Sequence, residues 1–194
     1  MIIGVTGSFG SGKTTVARMF KSCGAKIIDA DRLAHRLIRP KTKVYQKIIA
    51  AFGGGVLKRD KTIDRDKLAA RVFNNRKLLS RLNNIVHPEV IRIIKGRIKN
   101  AEAGIIILDA PLLIEAGLGA WVDKLIVVEI AKRKQIERIQ KRNHLNQKEI
   151  SRRIGLQMPL KDKVRLADFV IDNNGTQKEA RKQVDKIRRQ LWKS

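Results

Sequence analysis

The sequence predicts an α/β fold in which helices flank a parallel β-sheet. The pattern G-x-x-x-x-G-K-[ST] occurs at residues 7–14, between a short apolar run and an amphipathic helical pattern. Continuous apolar runs then alternate with helical patterns, as is typical of strands that are covered on both faces. Such alternation implies parallel strands joined by right-handed crossovers. One block, residues 41–100, departs from this alternation because it contains no convincing strand.

The strands are predicted from the apolar runs, and the helices from apolar residues at helical spacing. The predicted strands are Ile2–Thr6, Ala25–Ile28, Ile105–Leu108, Leu125–Val128 and Phe169–Ile171. The predicted helices outside the exceptional block are Thr15–Phe20, Arg32–Arg39, Arg133–Arg142, Gln147–Gln157 and Lys178–Trp192. At 194 residues the chain is expected to form one domain that carries an insertion.

The exceptional block is predicted to be a helical insertion spanning residues 36–100, on the edge of the sheet where ligands bind. Glycines 53–55 are expected to end one helix, and Asp64 to cap the next. Pro88 suits the first position of a helix, so a new helix is expected to begin at His87-Pro88.

The motif Gly7-Ser8-Phe9-Gly10-Ser11-Gly12-Lys13-Thr14 predicts a phosphate-binding loop. Glycines allow the backbone to turn with positive φ, so that successive N–H groups converge on phosphate oxygens. The positive end of the following helix dipole adds to this attraction. Lys13 can then reach the β- and γ-phosphates, and the Thr14 hydroxyl can ligate Mg²⁺. We therefore expect the chain to bind a nucleoside triphosphate.

Acidic residues follow two of the predicted strands. Asp109 closes an apolar strand, which is the arrangement that holds Mg²⁺ directly or through water in P-loop proteins; the alternative is an N-cap for the turn that follows. Asp31 could orient and deprotonate an attacking hydroxyl, or could cap a helix that starts at Arg32. Spacing alone leaves Asp29 open for either role.

Basic residues surround the short segment Asn143–Asn146, in a region that we expect to form a lid over roughly residues 138–157. An arginine on such a lid would neutralise charge on a transferring phosphoryl group, whereas most of these cations would simply be solvated. The candidates are Arg133, Arg138, Lys141, Arg142, Arg152 and Arg153.

The composition is strongly basic, with 43 Lys and Arg against 18 Asp and Glu and a net charge of +25. This charge favours polyanionic partners, but aromatic residues make up only 4% and offer little surface for stacking bases. We expect at most weak, non-specific binding of nucleic acid. With one cysteine, Cys23, and no secretory or membrane-spanning segment, a cytoplasmic protein is expected, and no histidine has partners at metal-ligand spacing.

An ordered set of motifs along the whole chain resembles the dephospho-coenzyme A kinase family. It comprises the phosphate loop, Asp29-Ala30-Asp31, Phe52-Gly53, Asp64-Arg65, His87-Pro88, residues 110–115, Gln157 and residues 167–175. The resemblance implies a P-loop kinase fold with a five-stranded parallel sheet, a helical substrate domain and a lid. It also implies ATP- and Mg²⁺-dependent phosphorylation of an alcohol, the ribose 3′-hydroxyl of dephospho-coenzyme A, in the last step of coenzyme A synthesis.

The resemblance also implies roles for individual residues. Asp31 matches the family's proposed base, Arg142 its lid arginine, and Asn173 lies in the segment near the adenine. Arg65 and His87 belong to motifs that imply contact with the substrate, although by its neighbourhood alone His87 is expected to be structural. The residues that match the nucleotide loop are Gly10, Ser11, Gly12, Lys13, Thr14 and Thr15.

The sequence departs from the family pattern at two positions. Many members carry Arg four residues after the second Asp of the D-A-D motif, where this chain has His35 followed by Arg36, so the phosphate contact implied there is not carried over. Lys61 replaces a frequent glycine in a turn. Two alternatives remain at this stage: another small nucleoside or nucleotide kinase, and a nucleic-acid-dependent P-loop ATPase suggested by the charge.

Overall fold

The computed structural model describes residues 1–101, 104–143 and 146–192. These residues divide into two compact units, one formed by residues 1–29 and 101–192 and the other by residues 30–100. His144 and Leu145, in the middle of the expected lid segment, lie outside the described residues.

The first unit is built on a five-stranded parallel sheet, as predicted. Its strand order is β2-β3-β1-β4-β5, so the strand that precedes the phosphate loop lies at the centre. The strands are β1 (Ile2–Thr6), β2 (Lys26–Asp29), β3 (Ile106–Asp109), β4 (Lys124–Glu129) and β5 (Phe169–Asp172). Each lies within one residue or so of its predicted position because continuous apolar runs identify buried strands well.

The helices of both units are numbered in chain order. They are α1 (Lys13–Lys21), α2 (Ala30–Leu37), α3 (Lys43–Phe52), α4 (Arg65–Phe73), α5 (Arg76–Lys99), α6 (Lys132–Asn143), α7 (Gln147–Gly155), α8 (Leu160–Arg165) and α9 (Gln177–Leu191), with 3₁₀ turns at Gly54–Val56 and Leu118–Trp121. Sequence patterns did not predict the short α8, whose six residues are too few to show a helical period.

The core of the first unit lies between the sheet and helices α1 and α9. Inward residues of the strands, among them Ile3, Ile107 and Ile126, are fully buried against apolar side chains of the two helices. Phe20 of α1 stacks on Trp192 just after α9, with ring centroids 6.1 Å apart. This packing fixes the start of α1, and with it the loop that joins β1 to α1.

The second unit consists of helices α2 to α5 around their own apolar cluster, which includes Ile48, Phe52 and Leu68. Asp64 caps α4 as predicted, since its side chain accepts hydrogen bonds from the backbone N–H groups of Asp66 and Lys67. Lys61 adopts a left-handed backbone (φ 61°), the conformation that favours glycine, which explains the glycine that the family often has there.

Two helix boundaries in this unit differ from the prediction. The expected helix start at His87-Pro88 is wrong, because α5 runs without interruption from Arg76 to Lys99 with Pro88 inside it. Proline removes one backbone donor within a helix, a loss that the packing of the neighbouring helices on α5 outweighs. Helix α2 begins at Ala30, before Asp31.

Within the described ranges, no helix is both long and apolar enough to cross a membrane.

Candidate active site

The phosphate loop connects the central strand β1 to helix α1 along residues 7–12. Gly12 stands at the N-cap position of α1 with φ 91°, and no side chain caps this helix end. The first N–H groups of a helix have no partners within the helix, and here no capping side chain competes for them. An anion at this position would meet both these donors and the positive end of the helix dipole.

Three side-chain amides hold the outer side of the loop. Gln157 Oε1 accepts a hydrogen bond from the Phe9 N–H (2.8 Å), and Gln135 Nε2 donates to the Phe9 carbonyl oxygen (2.5 Å). Asn173 Nδ2 donates to the Ser11 carbonyl oxygen (2.7 Å). Gln135 and Asn173 donate to carbonyl groups of the loop and Gln157 accepts from its Phe9 N–H, so together the three amides fix the orientation of its peptide planes from outside.

The space around the loop admits no side chain at two of its glycines. A Cβ on Gly12 would collide with the amide of Asn173, and a Cβ on Gly10 would collide with Ile139 of α6. Both glycines also have positive φ, 91° and 80°, so any L side chain would be strained there as well. The glycines of the motif are therefore required by this packing.

The donor set of the loop fits a triphosphate. Ser11 Oγ is fully buried and has no hydrogen-bond partner in the described part of the chain, which is uncommon for a buried polar atom. It lies in the loop that ends at the uncapped start of α1. Lys13 is the first residue of α1, and Thr14 and Thr15 follow within its first turn. Hydroxyl, ammonium and backbone donors thus lie together in the loop and the first turn of α1, a donor set that suits phosphate oxygens.

Two carboxylates lie side by side at the ends of neighbouring strands. Asp29 ends β2 and Asp109 ends β3, and they are register partners, so their side chains project to the same face of the sheet. Asp109 is only 2% exposed, whereas Asp29 is half-buried. Turns occupy residues 111–117 and the next helical segment begins at Leu118 with Gly117 as its cap, so the alternative role of Asp109, a cap for the turn that follows it, stays a prediction.

The residues of the expected lid approach the loop to different degrees. A guanidinium nitrogen of Arg138 lies 3.9 Å from the position of a Cβ on Gly12, and Arg153 lies over the Phe9 ring at 5.7 Å from its centroid. Arg142 is exposed one turn further along α6. Arg138 and Arg153 therefore both lie beside the loop, Arg138 near Gly12 and Arg153 over Phe9.

The remaining predicted site residues belong to the helical unit. Asp31 is exposed in the first turn of α2, and because the helix begins at Ala30 the expected cap for a helix starting at Arg32 is wrong. Arg65 is the exposed first residue of α4. His87 is half-buried in α5, where burial lowers the pKa of its imidazole, so it is neutral near pH 7.

The helical unit also carries a basic groove of about 650 Å³ between α3 and α5. Its lining residues are Lys47, Ala50, Ala51, Lys77, Ser80, Arg81, Asn84 and Ile85. The whole unit has 19 Lys and Arg against 5 Asp and Glu, a net charge of +14. More than half of the chain's net charge of +25 therefore lies on this unit.

A family model described as dephospho-CoA kinase matches residues 1–179, which include the phosphate loop, the helical unit and Asn173. The chain belongs to the dephospho-CoA kinase family. Among curated dephospho-CoA kinases, those of Carboxydothermus hydrogenoformans and Geobacillus kaustophilus are 46% and 42% identical to it. These matches cover 99% and 98% of this chain, and 94% and 96% of the relatives.

Solved structures agree with this family assignment. A dephospho-CoA kinase from Campylobacter jejuni superimposes with a TM-score of 0.70 at 29% identity, covering 98% of this chain and 96% of that chain. A shikimate kinase from Acinetobacter baumannii, in complex with shikimate, superimposes with a TM-score of 0.59 at 15% identity, covering 99% of this chain and 93% of that chain. The second likeness shows the P-loop kinase fold alone. Membership of this kinase family implies ATP as the phosphoryl donor.

Sequence reasoning missed some residues that shape the nucleotide loop of this dephospho-CoA kinase family member. Gln135 is 4% exposed and Ile139 is 2% exposed, although both lie in the strongly basic helix α6. Their four-residue spacing places them on one face of the helix, and this is the signal that could have identified them. Arg138, placed between them in sequence, was only one of six candidate lid cations.

Proposed function

We propose that the chain transfers the γ-phosphate of ATP to the ribose 3′-hydroxyl of dephospho-coenzyme A, giving coenzyme A and ADP. The observation that carries this proposal is the extent of the family match, which runs through the helical unit as well as through the phosphate loop. A phosphate loop alone is common to many kinases, whereas the helical unit is the part expected to select the acceptor. With a single cysteine the chain cannot form an internal disulfide, which fits a reducing compartment such as the cytoplasm, where ATP is present.

The phosphate loop would bind the triphosphate through backbone N–H groups at the start of α1 and through Lys13. These groups are oriented before the substrate arrives, because Asn173, Gln135 and Gln157 hold the loop from outside. Fixed donors placed where negative charge develops stabilise the transition state without reorganisation. Asn173 would act through the loop backbone, and its segment would lie near the adenine.

Thr14 and Asp109 would hold Mg²⁺, directly or through water. Their donor set, a hydroxyl at the start of α1 and a buried carboxylate at the end of β3, consists of the oxygen ligands that Mg²⁺ prefers. The ion, when bound, neutralises charge on the β- and γ-phosphate oxygens. Asp29, beside Asp109, would add negative charge that favours a cation at this edge of the sheet.

Asp31 would act as the general base. As an exposed carboxylate in the first turn of α2, it would accept a hydrogen bond from a substrate hydroxyl and then its proton. Arg65 and the neutral His87 would contribute to acceptor binding from the helical unit, His87 through hydrogen bonds because its imidazole is uncharged. We propose that residues 36–100 form the substrate-binding insertion.

The residues from about 138 to 157 would form the lid. Arg138 lies beside the loop and would bind phosphate, while the exposed Arg142 would reach the transferring group when the lid closes. The excess positive charge would attract the anionic substrates, and any binding of nucleic acid would be weak and non-specific.

ADP should form only when ATP, Mg²⁺ and dephospho-coenzyme A are all present, because each supplies one part of the reaction. The measurement is a coupled assay of ADP release with each component omitted in turn. Equal turnover with AMP or a simple nucleoside as acceptor would contradict the assignment, and ATP hydrolysis that rises with DNA or RNA would favour the nucleic-acid-dependent ATPase.

Asp31→Asn should lower turnover by about 10²–10⁴-fold, because it removes a general base while keeping the shape of the side chain. The melting temperature and the dissociation constants of both substrates should change little. Asp66→Asn is the matched control, since Asp66 is also an exposed aspartate in the first turn of a helix. If Asp31→Asn turns over normally while Asp29→Asn does not, Asp29 is the base.

Arg142→Ala should lower kcat by about 10²-fold or more, the usual effect of removing one donor to developing charge. Arg138→Ala should mainly weaken ATP binding, because its guanidinium already lies beside Gly12. Arg133→Ala is the control, because that side chain is 89% exposed on the same helix. If Arg142→Ala is fully active and Arg138→Ala loses kcat instead, Arg138 and not Arg142 is the arginine that acts on the transferring group.

A further inference from the structure

Lys163 is a charged side chain that the phosphate chemistry above does not use. It lies in α8 and is completely buried, which is rare for lysine. Its Nζ lies 2.8 Å from the Glu115 Oε1 and donates a hydrogen bond to the Pro111 carbonyl oxygen, also at 2.8 Å. One buried ammonium group thus connects α8 to the turn that follows β3.

The two partners of Lys163 each have a second contact. Glu115 Oε1 also accepts a hydrogen bond from the Met158 N–H (2.9 Å), in the segment after α7. The Pro111 carbonyl oxygen also accepts from Thr6 Oγ1 (3.2 Å), at the end of β1. Lys163 therefore occupies the centre of a polar network that joins three segments of the first unit.

Each of these segments carries part of the proposed active site. Thr6 directly precedes the phosphate loop, and Pro111 comes two residues after Asp109. Met158 follows Gln157, whose side chain holds the Phe9 N–H at the tip of the loop. The network thus connects the residue before the loop, the segment of Gln157 that binds Phe9, and the turn that follows Asp109.

Burial of this charge does not favour folding by itself. The free energy of removing two charges from water often exceeds the attraction that they gain from each other. Well-packed apolar residues of similar volume often stabilise the fold equally well or better. The arrangement is explained more simply by the geometry that it imposes. A lysine with fixed acceptors on separate segments determines how those segments lie with respect to one another.

We propose that Lys163 is a positioning residue for phosphoryl transfer, holding Gln157 and the turn after Asp109 in register with the phosphate loop. This rests on the proposed function for its effect on turnover. An error of about 1 Å in the placement of reacting groups can cost about 10²-fold in rate. The cost of losing the network should therefore appear in kcat.

The test removes the charge and separates stability from positioning. Lys163→Met alone leaves Glu115 without its cation and should lower the melting temperature. The double variant Lys163→Met with Glu115→Gln is neutral and keeps an acceptor for the Met158 N–H, so its melting temperature should return towards that of the wild type. If Lys163 positions the site, kcat of the double variant should stay about 10²-fold low, and Lys163→Arg should restore part of it.

Hydrogen exchange supplies a readout that does not depend on the acceptor. In the double variant the Phe9 N–H should exchange faster than in the wild type, because residue 115 is no longer anchored by Lys163 and holds Met158, and with it Gln157, less firmly. Lys124→Met is the matched control: Lys124 also pairs with a carboxylate, that of Asp168 at 3.0 Å, but is 43% exposed. It should change neither turnover nor exchange at Phe9.

The outcomes are distinct. Wild-type kcat and wild-type exchange at Phe9 in a stable double variant would overturn the positioning role. If the wild-type chain does not phosphorylate dephospho-coenzyme A, the proposed function fails, but faster exchange at Phe9 in the double variant would still support the role of Lys163.

Discussion

The structure depends on one constraint, the conformation of the backbone between β1 and α1. The loop must direct N–H groups towards a ligand, so its other backbone groups need partners elsewhere. Neutral amides supply them: Gln135 of α6 and Asn173 after β5 bind loop carbonyl groups, and Gln157 after α7 binds the Phe9 N–H. Neutral amides suit this task because they bind the peptide without competing electrostatically for the phosphate. The sheet positions the two ends of the loop, and Gln135 of α6 and Asn173 hold its backbone in this conformation.

The division of the chain into two units separates two chemical tasks. The sheet unit contains the phosphate loop and the two strand-end carboxylates, while the helical unit contains Asp31, Arg65 and His87. A shikimate kinase shares the fold at 15% identity, and a shared fold does not by itself define the acceptor. The match to dephospho-CoA kinases through residues 30–100 is what makes the acceptor specific in our proposal.

Much of the fold could be predicted from local patterns. Continuous apolar runs located β1 and β4 closely. Asp64 was predicted to be a cap because aspartate is favoured at that position, and its side chain accepts hydrogen bonds from nearby backbone N–H groups. Pro88 misled the prediction, since its local preference for a helix start yields to the packing of α5. The spacing of Gln135 and Ile139 marks one face of α6, but local patterns could not reveal what Gln135 and Lys163 bind, because those partners lie far away in sequence.

We propose above all that the phosphate loop binds the triphosphate through its backbone, in the conformation that the surrounding amides hold. Calorimetric titration of ATP into Gly12→Ala tests it most directly, because alanine is strained at φ 91° and its Cβ would displace Asn173. We predict an ATP dissociation constant at least about tenfold higher than in the wild type, the loss expected for one charge-assisted hydrogen bond. Gly119→Ala, where a Cβ meets open space, should bind ATP normally. A folded Gly12→Ala protein that binds ATP as tightly as the wild type would contradict the account.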